Sequence, residues 1–265
     1  MQDKKYLLSI AQLLEAVPLE EQQKLIKGCL KWLDDERMER LKHLVGAEVS
    51  EMEKAICGSI QKKRKAVEIL GAGMLLQLAV MQAENGDMDS VCSAEITHLT
   101  ITGLLTCLEE AGQRPLHLEY TYGTKGKPFL KNFPYYFNVS HSGEYIFCVI
   151  SEHEVGVDIQ QEKPLQDDRI ARRFFSEEEK QALAACKSPQ ERQKLFYRLW
   201  ACKEAYGKLT GQGVATVLET EMGLLHNILY DDVGTDNFKG FKEYIIEEYQ
   251  INDYRIAICK WRQEP

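Results

Sequence analysis

A carboxylate in an apolar strand is the first group in this sequence suited to ion chemistry. Asp158 lies in the run VGVDIQ at 155–160, where strand alternation places it on one face together with Gln160. A carboxylate buried in such a strand is unfavourable unless it is paired or binds a metal ion. The alternative is an edge strand that turns Asp158 towards water, because antiparallel sheets often have one solvated face.

A second group of reactive side chains lies on a helix. The stretch RLWACKEAYGK at 198–208 has helical periodicity, and its apolar stripe consists of Leu195, Leu199, Cys202, Tyr206 and Leu209. Trp200, Glu204 and Lys208 follow one another on the opposite face, one turn apart. An exposed Glu–Lys pair at this spacing contributes about 0.3–0.5 kcal/mol, but solvent exposure does not explain the tryptophan.

The surrounding elements predict an α+β fold with antiparallel sheets. Helical patterns cover 19–45, continue from residue 51 through VEILGAGMLLQLAVMQ, and return at 95–112. The glycines of the GAG triplet at 71–73 indicate close helix packing rather than a phosphate loop, since no strand precedes them. Helices cluster before and between short groups of strands, which favours α+β over a doubly wound sheet.

The second half of the chain contains the strand signals. The run YYFNVSHSGEYIFCVIS at 135–151 predicts a hairpin that turns at Ser142–Gly143. Ser176 and Glu179 have the spacing of a capping box, which predicts a helix that continues through 198–208. The last strands are predicted at 241–249 and 254–261.

Composition excludes several classes of protein. The chain has 265 residues with a net charge of −8, which argues against a broad surface for nucleic acid or anionic membranes. Its eight cysteines include no C-x-x-C pair, which indicates reduced thiols in a reducing compartment. The beginning of the sequence does not have the pattern of a signal peptide, and the apolar run GAGMLLQLAVM is too short to span a bilayer. We expect a cytoplasmic protein without a membrane segment.

Four motifs taken together resemble a known enzyme family. They are GKP at 126–128, FNVSHSG at 137–143, VGVDIQ at 155–160 and FYRLWACKEAYGKLTGQG at 196–213. In this order they resemble the 4′-phosphopantetheinyl transferases of the large surfactin-synthetase-activating type. That family is marked by a G-[IV]-D-[IV] strand and a W-x-x-K-E-[AS]-x-x-K helix, separated by a segment similar to IARRFFSEEEKQAL. The resemblance covers the second half of the chain, whereas residues 1–95 match loosely.

The resemblance implies a fold and a reaction. The fold would be two similar α+β halves, residues 1–150 and 151–265, related by a pseudo-twofold axis with the active site in the cleft between them. The enzyme would transfer the 4′-phosphopantetheine arm of coenzyme A to a serine of an apo acyl or peptidyl carrier protein. Mg²⁺ would be required, and adenosine 3′,5′-bisphosphate would be released. The internal pseudo-dimer implies a monomer.

The resemblance also implies roles for the residues of the strand and the helix. Asp158 and Glu204 would bind magnesium, and Glu204 would accept the proton of the carrier serine. Lys208 and Lys203 would face the diphosphate of coenzyme A, and Trp200 would pack beside Glu204. Diphosphate is multiply anionic, and an oxygen-ligated Mg²⁺ neutralises it well.

Further coenzyme contacts are carried over from the motifs. His141 with Ser140 would contact the coenzyme phosphates, although a turn histidine more often makes a local hydrogen bond. Lys127 would bind the 3′-phosphate, and Arg37 and Arg40 of the segment DDERMERL would reach the same group. The basic run KKRK at 62–65 is interpreted as a solvated face.

One position departs from the family pattern. Many members have D-x-E on the metal strand, whereas this chain has Gln160 in place of the second acid. Gln160 is therefore a candidate metal ligand either through its amide oxygen or through water. Carrier contact is expected at 161–175, with Phe174 and Phe175 exposed; the alternative places both rings beneath the following helix. The competing functions are a catalytically silent protein that binds coenzyme A or a carrier, and a purely structural α+β protein.

Overall fold

A computed structural model describes residues 3–15, 18–58, 60–85, 95–112, 114–165, 169–213 and 244–263. The chain forms two compact units, the first of Met1–Thr121 and Phe129–Glu152 and the second of Tyr122–Pro128 and His153–Pro265. Helices and strands occur in both units, which confirms the mixed α+β class. The division at residue 150 into two similar halves stays a prediction. The predicted division assigns Tyr122–Pro128 to the first half, whereas in the structure these residues belong to the second unit.

Most of the helices in the described part of the chain lie in the first unit. Its elements are β1 (Lys4–Ser9), α1 (Ala11–Leu14), α2 (Leu19–Leu30), α3 (Asp35–Val45), a 3₁₀ turn (Val49–Glu51), α4 (Met52–Cys57), α5 (Ile60–Glu84), β2 (Ile96–Thr100), α6 (Ile101–Ala111), β5 (Tyr136–Ser142) and β6 (Tyr145–Ser151). The short strands β3 (Tyr120–Tyr122) and β4 (Pro128–Leu130) form a hairpin whose loop belongs to the second unit.

Within the described ranges, the sheet of the first unit has four strands in the order β2-β1-β6-β5. The hairpin β5–β6 confirms the predicted turn, where Gly143 adopts a positive φ of 54°. The expectation of purely antiparallel pairing is wrong here, since β1 and β2 are parallel. The five helices α1–α5 lie between them in sequence, and parallel strands require such a long crossover.

The structure differs from the sequence patterns at two predicted helices: one is divided in two, and the other begins later in the chain. The pattern at 19–45 forms two helices, because Asp34 is extended and its side chain accepts from the amide of Arg37, which caps α3. The pattern at 95–112 is strand β2 up to Thr100, which then caps α6 by accepting from the amide of Gly103. Short capping side chains inside an apolar pattern set these boundaries.

Helix α5 forms the centre of the first unit's core. A Cβ on Gly71 would lie 2.5 Å from Ile146 Cδ1, and one on Gly73 would lie 2.5 Å from Leu33 Cδ2. Both glycines therefore serve close packing, as predicted. By length and composition alone, the part at Lys62–Glu84 could cross a membrane, but 78% of its most apolar window is buried inside the unit. That burial is typical of the core helix of a globular unit.

The described residues of the second unit form a small antiparallel sheet and three helices. Its elements are β7 (Val155–Gln161), α7 (Arg169–Phe174), α8 (Glu177–Ala185), α9 (Pro189–Thr210), β8 (Tyr244–Ile251) and β9 (Tyr254–Trp261). The strand order is β7-β9-β8, and α9 packs across β7 and β9. The two terminal strands are confirmed, although 241–243 lie outside the described residues.

The helix predicted to run from the capping box through 198–208 is two helices. The capping box itself is confirmed, with Ser176 Oγ accepting from Glu179 N and Glu179 Oε2 accepting from Ser176 N. Helix α8 ends at Ala185, and α9 begins anew after Ser188, whose hydroxyl accepts from Glu191 N. Pro189 at the first position of α9 favours a helix start, because its missing N–H would have no partner there. The seven cysteines among the described residues are free thiols.

Candidate active site

Strand β7 and helix α9 approach each other so closely that only glycine fits at the contact. A Cβ on Gly156 would lie 2.1 Å from the carbonyl oxygen of Ala205 and 2.2 Å from the amide nitrogen of Leu209. Asp158 lies two residues further along β7, on the same face, and therefore also points towards α9. This contact explains the glycine of the G-[IV]-D-[IV] motif: it lets the strand place its carboxylate against the helix.

We expect Gly156→Ala to lower the free energy of unfolding by about 3 kcal/mol or more, because the added methyl group must push α9 away from β7. Urea denaturation measures the change. Gly28→Ala in α2 is the control, since its Cβ would lie at an ordinary 3.5 Å from Leu105 Cδ1. That variant should change stability by about 1 kcal/mol at most, in the stabilising direction. A Gly156→Ala protein as stable as wild type would contradict the close strand–helix contact.

Asp158 is buried and is held from two sides. Only 2% of the residue is exposed. Lys208 Nζ donates to its Oδ1 at 2.6 Å, and Gln160 Nε2 donates to its Oδ2 at 2.7 Å. The alternative that Asp158 faces water is therefore wrong, because α9 covers this face of β7. The structure brings together Asp158, Gln160 and Lys208, and the shared face of Asp158 and Gln160 is the part that strand alternation predicted.

Glu204 lies one turn before Lys208 on α9 and is half-buried. Burial raises the pKa of Glu204, and the negative charge of Asp158 raises it further, while Lys208 opposes the rise. The two carboxylates, which come from different elements, thus repel each other. A divalent cation between them would remove that repulsion.

The acid pair fits a magnesium ion that also contacts phosphates. Among the described residues, no three His, Cys, Asp or Glu side chains form a metal-binding group, so a metal ion held by Asp158 and Glu204 would need further ligands from water or substrate. Mg²⁺ suits such a site, because it is bound by one or two carboxylates while waters and substrate phosphates fill the remaining positions. The amide oxygen of Gln160 supplies a neutral third candidate, directly or through water.

Lys127 lies on the hairpin loop that belongs to the second unit. Its Nζ donates at 2.7 Å to the carbonyl oxygen of Leu209, in the last turn of α9. Burial lowers the pKa of Lys127, while Glu154 opposes the shift. A lysine at a helix C-terminus also stabilises the helix dipole. Lys127 therefore contacts the end of the helix that carries Glu204 and Lys208.

Trp200 packs into an aromatic group. Its ring centroid lies 5.5 Å from that of Phe174 and 6.5 Å from that of Phe175, and the ring of Phe196 lies 5.4 Å from Phe175. Phe175 is 2% exposed, so the expectation that it is exposed for carrier contact is wrong. Phe174 is half-buried against the same core. The aromatic partners explain why a tryptophan interrupts the polar face of α9.

Lys203 is placed differently from Lys208. It is 2% exposed, and its Nζ lies 3.0 Å from Glu179 Oε1. Lys208 follows it by five positions, which turns Lys203 to another side of α9. The structure thus brings Lys208 to Asp158 and Lys203 to an interior ion pair, which differs from their predicted common role at the diphosphate.

The first unit holds the histidine of the predicted site. His141 is exposed on β5, and its Nδ1 lies 3.5 Å from Glu68 Oε1. Arg64 Nε lies 3.3 Å from the same oxygen, and Arg64 also donates to the carbonyl of Gly143 in the hairpin turn. Ser140, the neighbour of His141, is 5% exposed. Sequence reasoning missed Glu68; its position one turn after Arg64 on α5 was the available signal.

Two early arginines occupy different environments in the first unit. Arg37 is buried, with Nη1 2.7 Å from Asp34 Oδ2 and its guanidinium 5.2 Å from the ring centroid of Tyr120. Arg40 is exposed and lies 3.9 Å from Glu36. The internal pair of Arg37 differs from its predicted phosphate contact, because its charge is compensated inside the unit. Arg40 is the one of the two that presents its guanidinium to solvent.

Comparisons with known proteins agree with these motifs. Residues 154–259 match the model of the 4′-phosphopantetheinyl transferase superfamily. The chain is 33% identical over 173 residues to a 4′-phosphopantetheinyl transferase of Bacillus subtilis, which covers 62% of this chain and 75% of that protein. It is 45% identical over 138 residues to the 4′-phosphopantetheinyl transferase psf-1 of Bacillus pumilus, covering 51% and 57% of the two chains.

A third relative fits the same group. The 4′-phosphopantetheinyl transferase Sfp of Bacillus subtilis (strain 168) is 33% identical over 136 residues, which covers 51% of this chain and 59% of that protein. The motif-bearing strand β7 and helix α9 both lie within the part matched by the superfamily model. This chain therefore belongs to the 4′-phosphopantetheinyl transferase superfamily of enzymes, in its surfactin-synthetase-activating (Sfp-like) type.

Proposed function

We propose that the chain transfers the 4′-phosphopantetheine arm of coenzyme A to a serine of an apo acyl or peptidyl carrier protein, with Mg²⁺ as metal ion and adenosine 3′,5′-bisphosphate as second product. One observation carries the proposal: Asp158, Lys208 and Glu204 lie together where β7 meets α9. Two carboxylates and an ammonium are the groups that phosphoryl transfer from a diphosphate requires, because that reaction depends on positioning and charge stabilisation.

The side chains of the second unit have separate tasks in this proposal. Asp158 and Glu204 would hold Mg²⁺, which neutralises charge on the diphosphate when bound. Glu204 accepts the proton of the carrier serine. Lys208 donates from Nζ to the diphosphate oxygens, and Gln160 keeps Asp158 oriented through its 2.7 Å hydrogen bond.

The remaining parts of the proposal rest on the resemblance. His141 and Ser140 contact coenzyme phosphates, and 161–175 contacts the carrier, where Ile170 of α7 is 38% exposed. The protein is a cytoplasmic monomer with two similar halves related by a pseudo-twofold axis. The net charge of −8 supports a protein partner rather than nucleic acid.

Mass spectrometry of the carrier tests the proposal. The chain is incubated with coenzyme A, Mg²⁺ and apo acyl or peptidyl carrier protein, and the carrier is weighed. A gain of the phosphopantetheine mass, absent when the acceptor serine is replaced by alanine, is the expected result. Coenzyme A binding without any gain would support the second candidate, a catalytically silent binding protein. The reactive side chains gathered around Asp158 favour the enzyme.

We expect Lys127→Ala to reduce the preference for coenzyme A over 3′-dephospho-coenzyme A. A charge-assisted contact to the 3′-phosphate is worth about 1.5–3 kcal/mol, which corresponds to about 10–150-fold in relative affinity. Competition between the two coenzymes measures the preference. Lys125→Ala is the matched control, because Lys125 lies on the same loop, is exposed and donates to the carbonyl of Gln212. An unchanged preference in Lys127→Ala would assign the phosphate to Arg40, Arg37 or another group.

A further inference from the structure

The second unit contains an ion pair between Lys203 and Glu179 that the proposed chemistry does not use. Their side chains are 3% and 1% exposed, and Lys203 Nζ lies 3.0 Å from Glu179 Oε1. Lys203 directly precedes Glu204 on α9, whereas Glu179 lies in the first turn of α8. The pair therefore connects the helix that carries the proposed base to a second helix.

Glu179 has a second contact that extends this connection. Its Oε2 accepts from the backbone amide of Ser176 at 2.7 Å, at the point where the chain enters α8. The ammonium of Lys203 lies 5.7 Å from the ring centroid of Phe175, the residue before that cap. One carboxylate and one ammonium thus join α9 to the α7–α8 corner, defined here as residues 169–179.

The burial of Lys203 decides whether its ammonium binds a substrate anion or stays paired with Glu179. To bind a substrate anion, the ammonium would have to leave Glu179 and expose a carboxylate that is otherwise enclosed in protein. Removing one partner of a buried pair is strongly unfavourable, because the other charge then lacks compensation. The interior position of Lys203 therefore favours a fixed contact over a contact with the diphosphate.

We propose that Lys203 and Glu179 are positioning residues, which fix Glu204 and the α7–α8 corner relative to each other for transfer to the carrier. The inference rests on the proposed function of the chain. The corner includes part of the segment expected to meet the carrier, and Glu204 accepts the serine proton. A displacement of about 1 Å between such groups lowers rates about 10²-fold. Loss of one partner alone leaves an uncompensated buried charge that displaces the two elements, and should therefore reduce kcat while the affinity for coenzyme A is retained.

A double-mutant cycle of Lys203→Met and Glu179→Gln tests the pair. Lys203→Met leaves a buried carboxylate without its counter-ion, and we expect kcat to fall about tenfold or more. Glu179→Gln removes the charge but keeps an oxygen that can accept from Ser176. The double variant needs no counter-ion, so we expect it to recover most of the lost kcat and of the lost melting temperature.

Coenzyme A affinity is the readout that separates positioning from anion binding. Calorimetric titration with coenzyme A and Mg²⁺, without carrier, should give a Kd within about threefold of wild type for all three variants. Lys208→Met is the control, because Lys208 is the proposed diphosphate contact and its loss should raise Kd about tenfold or more. All rates are measured well below each variant's melting temperature.

Two results would overturn the proposal. A double variant no better than Lys203→Met in kcat, or in the yield of folded protein, would show that the two residues do not act as a pair. A tenfold rise of Kd in both variants that lack Lys203 would make this lysine a ligand of the coenzyme. If the wild-type chain does not modify any carrier, the proposed function fails, and the cycle read in melting temperature still tests the ion pair.

Discussion

Glu204→Gln is expected to remain folded and to bind coenzyme A with much of the wild-type affinity, while turnover falls by about 10²–10⁴-fold or more. The amide retains the shape of the side chain but cannot accept a proton at the serine hydroxyl, and loss of a general base has this magnitude. The loss is greater if Glu204 also ligates the metal ion, since one change then removes two functions.

The surroundings of Glu204 predict that the substitution is tolerated. Burial and Asp158 both raise the pKa of the Glu204 carboxyl, so the neutral amide relieves repulsion in the absence of a cation. The melting temperature should therefore stay equal to or above that of wild type. The loss of turnover can then be assigned to chemistry rather than to unfolding.

Initial rates at saturating carrier and coenzyme A measure the effect of Glu204→Gln, and calorimetry measures the coenzyme affinity. Glu191→Gln is the matched control, because Glu191 is an exposed carboxylate in the first turn of the same helix. It should retain activity within about threefold, as expected for a residue far along α9 from the acid pair. Turnover of Glu204→Gln within a few-fold of wild type would remove Glu204 from the mechanism.

Asp158→Ala should nearly abolish activity, with a loss of about 10³-fold or more, whereas Gln160→Ala should lower it only a few-fold. Asp158 brings one of the two charges expected to hold Mg²⁺, and its removal also deprives Lys208 of a partner at 2.6 Å. Gln160 brings no charge. In the structure it donates its amide hydrogen to Asp158 Oδ2, so it orients the carboxylate rather than supplying one.

Gln160→Glu adds a carboxylate to the proposed metal site, whereas Asp158→Ala removes one. A carboxylate at this position would lie close to Asp158 Oδ2, where the amide nitrogen now lies at 2.7 Å, and the two acids would repel each other without a cation. We therefore expect this variant to stay active and to need less Mg²⁺ for half-maximal rate. The added charge raises the attraction for the cation.

A Mg²⁺ titration of the initial rate compares wild type with Asp158→Ala, Gln160→Ala and Gln160→Glu at fixed coenzyme A. We expect Gln160→Glu to reach half-maximal rate at a lower Mg²⁺ concentration than wild type. Gln160→Ala should need the same concentration as wild type or a higher one. If Gln160→Ala is as inactive as Asp158→Ala, the amide is a required ligand or orienting group. The assignment of two carboxylates as sufficient protein ligands would then be wrong.

Local signals in the sequence predicted several elements correctly. The capping box of Ser176 and Glu179, the hairpin turn at Gly143 and the strand that carries Asp158 depend on neighbouring residues, and the structure confirms all three. Predictions failed where a distant partner decided the outcome. The segment Ile96–Thr100 forms a strand because β1, far away in sequence, offers it a parallel edge.

The sequence by itself determined which side chains share a face. Period-2 alternation puts Asp158 and Gln160 together on β7, and the helical period puts Glu204 above Lys208 on α9. These relations follow from backbone geometry alone. They predicted which side chains share a face on each of the two elements. The motif resemblance added the roles of these residues but no contact between them.

Tertiary structure decided which of those faces are covered, and by what. Lys203 and Phe175 were expected at a surface, and both are buried, because α8 and the α7–α8 corner pack onto α9. Arg37 is enclosed in the same way by Asp34 and Tyr120 in the first unit. Periodicity fixes the direction of a side chain about its own helix, but burial depends on segments that are remote in sequence. Only the folded chain therefore distinguishes a lysine that can meet a substrate from one that holds two helices together.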